Sequence, residues 1–126
     1  NVCFHRVIDG FMAQTGDVAN GNMEKDFNIG RAGTGGSDMP DLPAEFSKVP
    51  HARGSLGAAR SQNPNSANSQ FFIMFEPGPF LDGQYTIVGE VTSGMEVVDA
   101  IKRGTGNSGA VSGTPDVMTD VRVTQN

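Results

Sequence analysis

Hydrophobic and polar residues alternate along several short stretches of the chain, a pattern typical of half-buried β-strands. The clearest stretch is 69–75, in which both alternating faces are apolar except at Gln70. Because both faces need cover, this strand is predicted to lie inside the domain. Other strand-like stretches are found at 2–8, 11–16, 54–59, 85–91 and 116–124, and a short strand is predicted near 27–29.

The first stretch, 2–8, combines alternation with a charged residue. Phe4 is expected on the same face as Arg6, and Cys3 on the opposite, buried face. The dipeptide Asp9-Gly10 that follows favours a hairpin turn into the next strand.

One helix is predicted, near residues 93–103, where apolar residues recur at helical spacing. Ser93 can cap its start and Gly104 can end it. The chain contains 17 Gly and 7 Pro, and residues 18–43 have the composition of a long loop. The predicted fold class is therefore mainly β, an antiparallel β-barrel with one minor helix in the C-terminal part.

The composition of the chain argues against several classes of function. The 126 residues suit one domain, 1–126, and the net charge of −5 argues against binding to a nucleic-acid backbone. No apolar run approaches the length of a membrane span. With Cys3 as the single cysteine and two histidines, neither an intramolecular disulfide nor a Cys- or His-rich metal site is expected. No cofactor-binding motif is present, so no cofactor is expected.

Polar side chains on apolar strands are the remaining candidates for chemistry. Arg6 lies among Phe4, Val7 and Ile8, and Gln70 opens the most apolar strand. Rigid strands that carry a few donors among large apolar side chains suit peptide binding better than hydrolysis. From the pattern alone, however, a solvated surface arginine is the commoner interpretation of Arg6.

Several segments together are more specific than any one of them. Residues 4–17, FHRVIDGFMAQTGD, resemble the F-H-R signature of the cyclophilins, which are cyclosporin-binding peptidyl-prolyl cis-trans isomerases. Residues 69–73, SQFFI, and 80–85, FLDGQY, resemble two further family segments, in the family's order and spacing. The resemblance covers almost the whole chain and implies a cyclophilin-like barrel.

The resemblance also implies a site, residue by residue. Catalytic roles would fall to Arg6, Gln14 and Phe72. Substrate-binding positions would be Phe11, Met12, Ala59, Arg60, Gln70, Phe80, Leu81 and Tyr85. The implied partners are proline-containing peptides and unfolded proteins, with no nucleic acid and no membrane.

Departures from the family pattern qualify these expectations. Phe80 stands where the family usually has tryptophan, so cyclosporin binding is expected to be weakened by the loss of an indole N–H donor. Arg60 occupies a position where the family usually has asparagine, and Tyr85 one where it usually has histidine. The turn at 60–69 is similar to that of bacterial members. The family's first two strands and first helix are expected to be absent from this chain, which would leave 116–124 as an open edge.

The implied activity is rotation about X–Pro peptide bonds without a covalent intermediate. Two alternatives are a proline-peptide binding module or folding helper with little turnover, and an inactive fragment of the isomerase. The compartment, cytoplasmic or periplasmic, remains open.

Overall fold

The computed structural model describes residues 1–125 and contains seven short strands, one 3₁₀ helix and one α-helix. Most of the chain between 16 and 54 forms turns and loops, as the glycine-rich composition predicts. The elements are β1 (Val2–Cys3), β2 (Arg6–Ile8), β3 (Met12–Thr15), β4 (Ser55–Ala58), β5 (Phe71–Met74), the 3₁₀ helix Pro79–Leu81, β6 (Ile87–Glu90), α1 (Met95–Asp99) and β7 (Val117–Met118).

The strands form two antiparallel sheets. Five strands pair in the order β2-β3-β5-β4-β6, and β1 pairs with β7. The strands predicted at 11–16, 54–59, 69–75 and 85–91 are all present in shortened form. The prediction of a mainly β, antiparallel fold with one helix is confirmed, although the two sheets are not joined into one continuous barrel within residues 1–125.

Strand β5 separates the interior into two clusters, as its two apolar faces predict. Ile73 belongs to a core with Phe4, Val7, Ala13, Phe75, Ile101 and Val111. Phe72 and Met74 face the other way and pack with Met12 and Leu81. Each such side chain that leaves water contributes about 1.5–3 kcal/mol to folding. The first cluster therefore supports the fold, and the second supplies an apolar surface on the opposite side of the same strand.

The first predicted strand is interrupted. Residues 4 and 5 separate β1 from β2, because the chain changes partner there: β1 and the Phe4 N–H bond to the segment 116–118, whereas β2 pairs with β3. Because the strand is interrupted, the alternation of faces does not continue through residues 4 and 5. Phe4 packs in the core with Val7, and the prediction that it shares a face with Arg6 is wrong. Cys3 is fully buried as predicted, and burial raises the pKa of its thiol.

The helix is shorter than the predicted 93–103. Gly94, with φ of 86°, stands immediately before α1, and Ser93 makes no capping hydrogen bond. At the other end, Ala100 N–H bonds to Val97 O at 3.1 Å, and Ile101 N–H bonds one residue further along in the same way. These i to i+3 bonds tighten the chain and end the α-helix.

The C-terminal strand is also shorter than predicted. Only Val117–Met118 is strand, and its partner is β1, so the expectation of an unpartnered edge over 116–124 is wrong. Beyond it, Val121 and Val123 are 72% and 95% exposed, so alternation alone did not indicate burial there.

The strand predicted near 27–29 is absent from the structure. The Asn28 side chain accepts a hydrogen bond from Gly30 N–H at 2.8 Å, and its carbonyl accepts one from Arg31 N–H. These local bonds form a turn, which is the usual competitor of a strand at asparagine. Within residues 1–125, no helix has both the length and the apolar character needed to cross a membrane.

Candidate active site

The residues that the resemblance selects converge on one groove of about 530 Å³. Ten of the eleven line it, and only Gln70 lies outside, in an adjoining groove. One lining residue, Gln84, was not predicted. The lining residues are Arg6, Phe11, Met12, Gln14, Ala59, Arg60, Phe72, Phe80, Leu81, Gln84 and Tyr85.

The floor of this groove is apolar and buried. Met12, Phe72 and Leu81 are 2%, 5% and 8% exposed. Phe72 lies opposite Gly57 of β4, and a Cβ at that glycine would stand 2.2 Å from Phe72 Cζ. The missing side chain of Gly57 therefore provides the space that the Phe72 ring occupies.

Two phenylalanines form one rim of the groove. The rings of Phe11 and Phe80 are 5.3 Å apart at 48°, within the range of favourable aromatic pairs. Phe80 is 67% exposed, so this rim is an apolar surface open to a ligand.

Arg6 is held at the edge of the groove by a chain of side-chain hydrogen bonds. It lies directly opposite Gln14 in the β2–β3 pairing, and its Nη1 donates to Gln14 Oε1 at 3.1 Å. Gln14 Nε2 then donates to Gln70 Oε1 at 2.9 Å. Arg6 Nε donates to Ser108 O at 2.8 Å, which fixes the guanidinium plane from a second side.

The chain of hydrogen bonds from Arg6 through Gln14 and Gln70, here called the relay, ends on loop 33–35. The buried carboxylate of Asp17 organises this loop. Gln70 Nε2 donates to Gly33 O and Gly35 O, both at 2.9 Å. The N–H groups of the same two glycines donate to Asp17 Oδ2 at 2.8 and 3.0 Å, and Asn20 N–H donates to Oδ1. Asp17 thus positions the loop, and the loop positions Gln70.

Asp17 is fully buried, and its hydrogen bonds determine its charge state. Burial by itself would raise the pKa of this carboxyl. Backbone N–H donors outweigh that effect and hold the pKa of Asp17 below its ordinary value. The loop is therefore built around a carboxylate ion.

His5 packs against the same loop. A Cβ at Gly33, whose φ is +96°, would stand 2.9 Å from the His5 ring, so only glycine fits there. His5 is buried, and desolvation lowers its pKa more than the nearby Asp17 carboxylate raises it.

Sequence reasoning missed the second groove, of about 270 Å³. It is lined by loop 33–35, by Gln70 and by three polar residues, and it shares Gln14, Ala59 and Arg60 with the first groove. The three polar residues are Ser61, Ser66 and Asn68. The sequence signal for this groove is the glycine-rich run at 33–36, inside the predicted loop 18–43.

Arg60 lies between the two grooves. Its guanidinium is 4.4 Å from the centre of the Tyr85 ring, a cation–π arrangement. Its Nη2 donates to Gln84 O, and its Nη1 donates to Ser61 O. The Tyr85 ring in turn meets the edge of Phe72 at 5.9 Å.

A buried histidine beneath the floor was also missed. His51 is stacked on Phe72 with ring centres 6.2 Å apart, and its Nδ1 lies 3.0 Å from Asp82 Oδ1. His51 N–H also donates to that carboxylate, which lowers the pKa of Asp82. Since Asp82 directly follows Leu81, these contacts tie the floor to the segment 80–85.

Comparison with known proteins shows the family of the chain. The model of the cyclophilin-type peptidyl-prolyl cis-trans isomerase family matches residues 1–125. The chain belongs to the cyclophilin family. No three His, Cys, Asp or Glu side chains of this cyclophilin cluster closely enough to hold a metal ion within the described residues.

Similar sequences are found in bacteria and fungi. A protein of Brucella abortus named "Probable peptidyl-prolyl cis-trans isomerase" is 69% identical over 116 residues, 91% of this chain and 59% of its own length. A "Peptidyl-prolyl cis-trans isomerase-like 1" of Emericella nidulans is 38% identical over 101 residues, 78% of this chain and 56% of its own length. The chain thus spans under two thirds of the curated relatives it matches, and the bacterial resemblance is confirmed.

A solved structure supports the fold. Cyclophilin AquaCyp293 from Hirschia baltica matches with a TM-score of 0.62 at 24% identity, over 80% of this chain and 53% of that one.

Proposed function

We propose that this chain carries the site of a peptidyl-prolyl cis-trans isomerase, which accelerates rotation about X–Pro bonds in peptides and unfolded proteins. One observation carries the proposal. An apolar groove with a buried floor ends at a guanidinium that is oriented by Gln14 and by Ser108 O. In this proposal a proline ring lies on the floor, and Arg6 is the donor to the prolyl amide.

The reaction requires no covalent step. The barrier to rotation about a peptide bond, about 18–20 kcal/mol, comes from amide resonance. In the twisted state the prolyl nitrogen regains its lone pair and accepts a hydrogen bond more strongly than in either planar state. Arg6 donates to that nitrogen, and within residues 1–125 its bonds to the protein use Nε and Nη1 and leave Nη2 for the substrate. An interaction that strengthens only in the twisted state lowers the barrier.

The apolar residues hold the ring while the preceding carbonyl turns. Met12, Phe72 and Leu81 form the contact surface, and the exposed Phe80 extends it. Because phenylalanine has no N–H donor, cyclosporin is proposed to bind weakly at this rim.

A binding module with little turnover is the second candidate, since every residue of the floor serves binding as well as catalysis. The orientation of Arg6 favours the enzyme, because binding alone does not require a guanidinium fixed from two sides.

The test measures cis–trans exchange of a neutral Ala-Ala-Pro-Phe peptide by NMR with the chain and its Arg6→Ala and Arg6→Lys variants. We expect Arg6→Ala to lower kcat/KM on the order of a hundredfold, equivalent to about 3 kcal/mol. Arg6→Lys should recover little, because the planar fork is lost. Arg122→Ala is the matched control, since Arg122 is exposed and its salt bridge is to Asp120, close by in the chain.

Three results would contradict the proposal. Near-normal turnover in Arg6→Ala would remove the arginine from the mechanism. Peptide binding by the folded chain without accelerated exchange would favour the binding module, and loss of dispersed amide signals would identify an inactive fragment.

A further inference from the structure

The lining of the two grooves is positively charged, whereas the chain as a whole is negatively charged. The protein has a net charge of −5, yet the residues that line the grooves include Arg6 and Arg60 and no carboxylate. Asp17 lies behind loop 33–35, where it is fully buried and saturated by backbone N–H donors. The ligand surface is therefore basic in an acidic protein.

Neither groove arginine is neutralised by a carboxylate partner among the described residues. Arg60 donates only to carbonyl oxygens, of Ser61, Gln62 and Gln84. Three of the four other arginines pair with an aspartate: Arg53 with Asp99, Arg103 with Asp9 and Arg122 with Asp120. The charge on Arg60 is thus available to a ligand, while the Tyr85 ring and the carbonyls hold it in place.

The second groove offers polar groups beside Arg60 that could surround an acidic side chain of a ligand. Its volume of about 270 Å³ suits one side chain, and hydroxyl and amide groups of Ser61, Ser66 and Asn68 line it beside Arg60. Because Gln14, Ala59 and Arg60 border both grooves, a chain whose proline lies on the apolar floor reaches the second groove within one or two residues. Each residue of extended chain spans about 3.3–3.6 Å.

We propose that this site selects X–Pro segments with Asp or Glu one or two residues before the proline, and that Arg60 is the residue that reads the acidic side chain. The proposal rests on the isomerase function above and names its substrate class. The carboxylate receives a charge-assisted hydrogen bond from the guanidinium, in a groove where no carboxylate of the protein competes for it.

The experiment compares peptides that differ at a single position. NMR exchange gives kcat/KM for peptides with Glu, Gln or Lys at the first and second positions before proline, each corrected for its uncatalysed rate. We expect Glu to exceed Gln by about three- to tenfold at one of these positions, the range of a partly exposed ion pair, and Lys to be poorest. The preference should decline as ionic strength rises.

Variants of Arg60 test whether this residue causes the preference for Glu over Gln peptides. Arg60→Gln should abolish the difference between Glu and Gln while the Gln peptide is still turned over. Arg60→Glu should favour the Lys peptide over the Glu peptide. Arg122→Gln removes the same charge from an exposed position outside both grooves and should leave the preference unchanged.

The outcomes separate the two proposals. If no peptide is accelerated, the isomerase function fails. If all are accelerated equally, or if the preference for Glu survives in folded Arg60→Gln, the isomerase function stands and the acidic selectivity is wrong. Dispersed amide signals of each variant establish that it is folded.

Discussion

The two arginines of the groove are held in different ways. Arg6 is oriented by Ser108 O and by a relay of side chains, through Gln14 to Gln70 and then to loop 33–35. Arg60 is held by carbonyl oxygens of its own turn and of Gln84, and by the Tyr85 ring. The direction of Arg6 thus depends on a glutamine relay that reaches a distant loop, whereas every contact that holds Arg60 is direct.

This difference matches the two roles proposed for Arg6 and Arg60. A group that acts on the reacting amide needs a fixed direction, because misplacement by about 1 Å is costly in catalysis. A group that attracts a charged side chain needs only to be near it. Changes in the relay should therefore affect turnover of every peptide, and changes around Arg60 should affect the choice among peptides.

The largest expected effect comes from the floor that both arginines share. Gly57→Ala places a Cβ 2.2 Å from Phe72 Cζ, and the ring must move. We expect about 1–3 kcal/mol lower stability in urea unfolding, and loss of most turnover with neutral and acidic peptides alike. Gly89→Ala is the matched control, because its Cβ would meet only Leu56 Cδ1, at 3.4 Å. Normal turnover in Gly57→Ala would show that the floor does not need Phe72 in this position.

An intermediate effect is expected at the buried end of the relay. Asp17→Asn removes the charge that orders loop 33–35 and should lower the free energy of unfolding by about 2 kcal/mol at pH 7. Turnover of neutral peptides should fall, and the preference for Glu over Gln should remain. Asp120→Asn, in an exposed pair with Arg122, is the control.

The difference in the free energy of unfolding between the chain and Asp17→Asn should depend on pH in a defined direction. The folded pKa of Asp17 lies below 3.8, so its stabilisation is fully present above that pH and is lost as the pH falls through the folded value. The gap in stability between the chain and Asp17→Asn should therefore shrink below pH 3.8. A gap that stays constant into that range would contradict the assignment.

The smallest effect is expected beside Arg60. Tyr85→Leu removes the ring under the guanidinium, an interaction of about 0.5–1 kcal/mol. The ratio of kcat/KM for Glu and Gln peptides should fall about two- to fivefold, while Arg60 remains tethered by Gln84 O. Using the ratio cancels the loss of proline contact that the same change causes. An unchanged ratio would mean that the carbonyls alone position Arg60.

The sequence predicted those parts of the molecule that follow from local pattern. The two faces of β5 were correct because alternation in a strand is geometric, and Ile73 and Phe72 indeed pack in different clusters. The resemblance selected ten residues that line one groove. Their roles in binding and catalysis stay predictions.

The parts that sequence reasoning missed depend on distant contacts. The interruption after Cys3 arises because the chain passes from its pairing with β7 to its pairing with β3, and the helix begins after Gly94 and not at Ser93. The second groove depends on Asp17 drawing loop 33–35 toward Gln70, which no local pattern displays. Short strands held by such contacts cannot be delimited from residue alternation alone.

The bond from Arg6 to Ser108 joins residues 102 positions apart. During synthesis at about 5–20 residues per second, the guanidinium therefore waits at least five seconds for the carbonyl that fixes its plane. A nascent chain that has not yet reached Ser108 carries the residues of the apolar floor without the carbonyl that orients Arg6. The proposed donor is therefore completed only after the prolines that precede Ser108 in the chain have been synthesised.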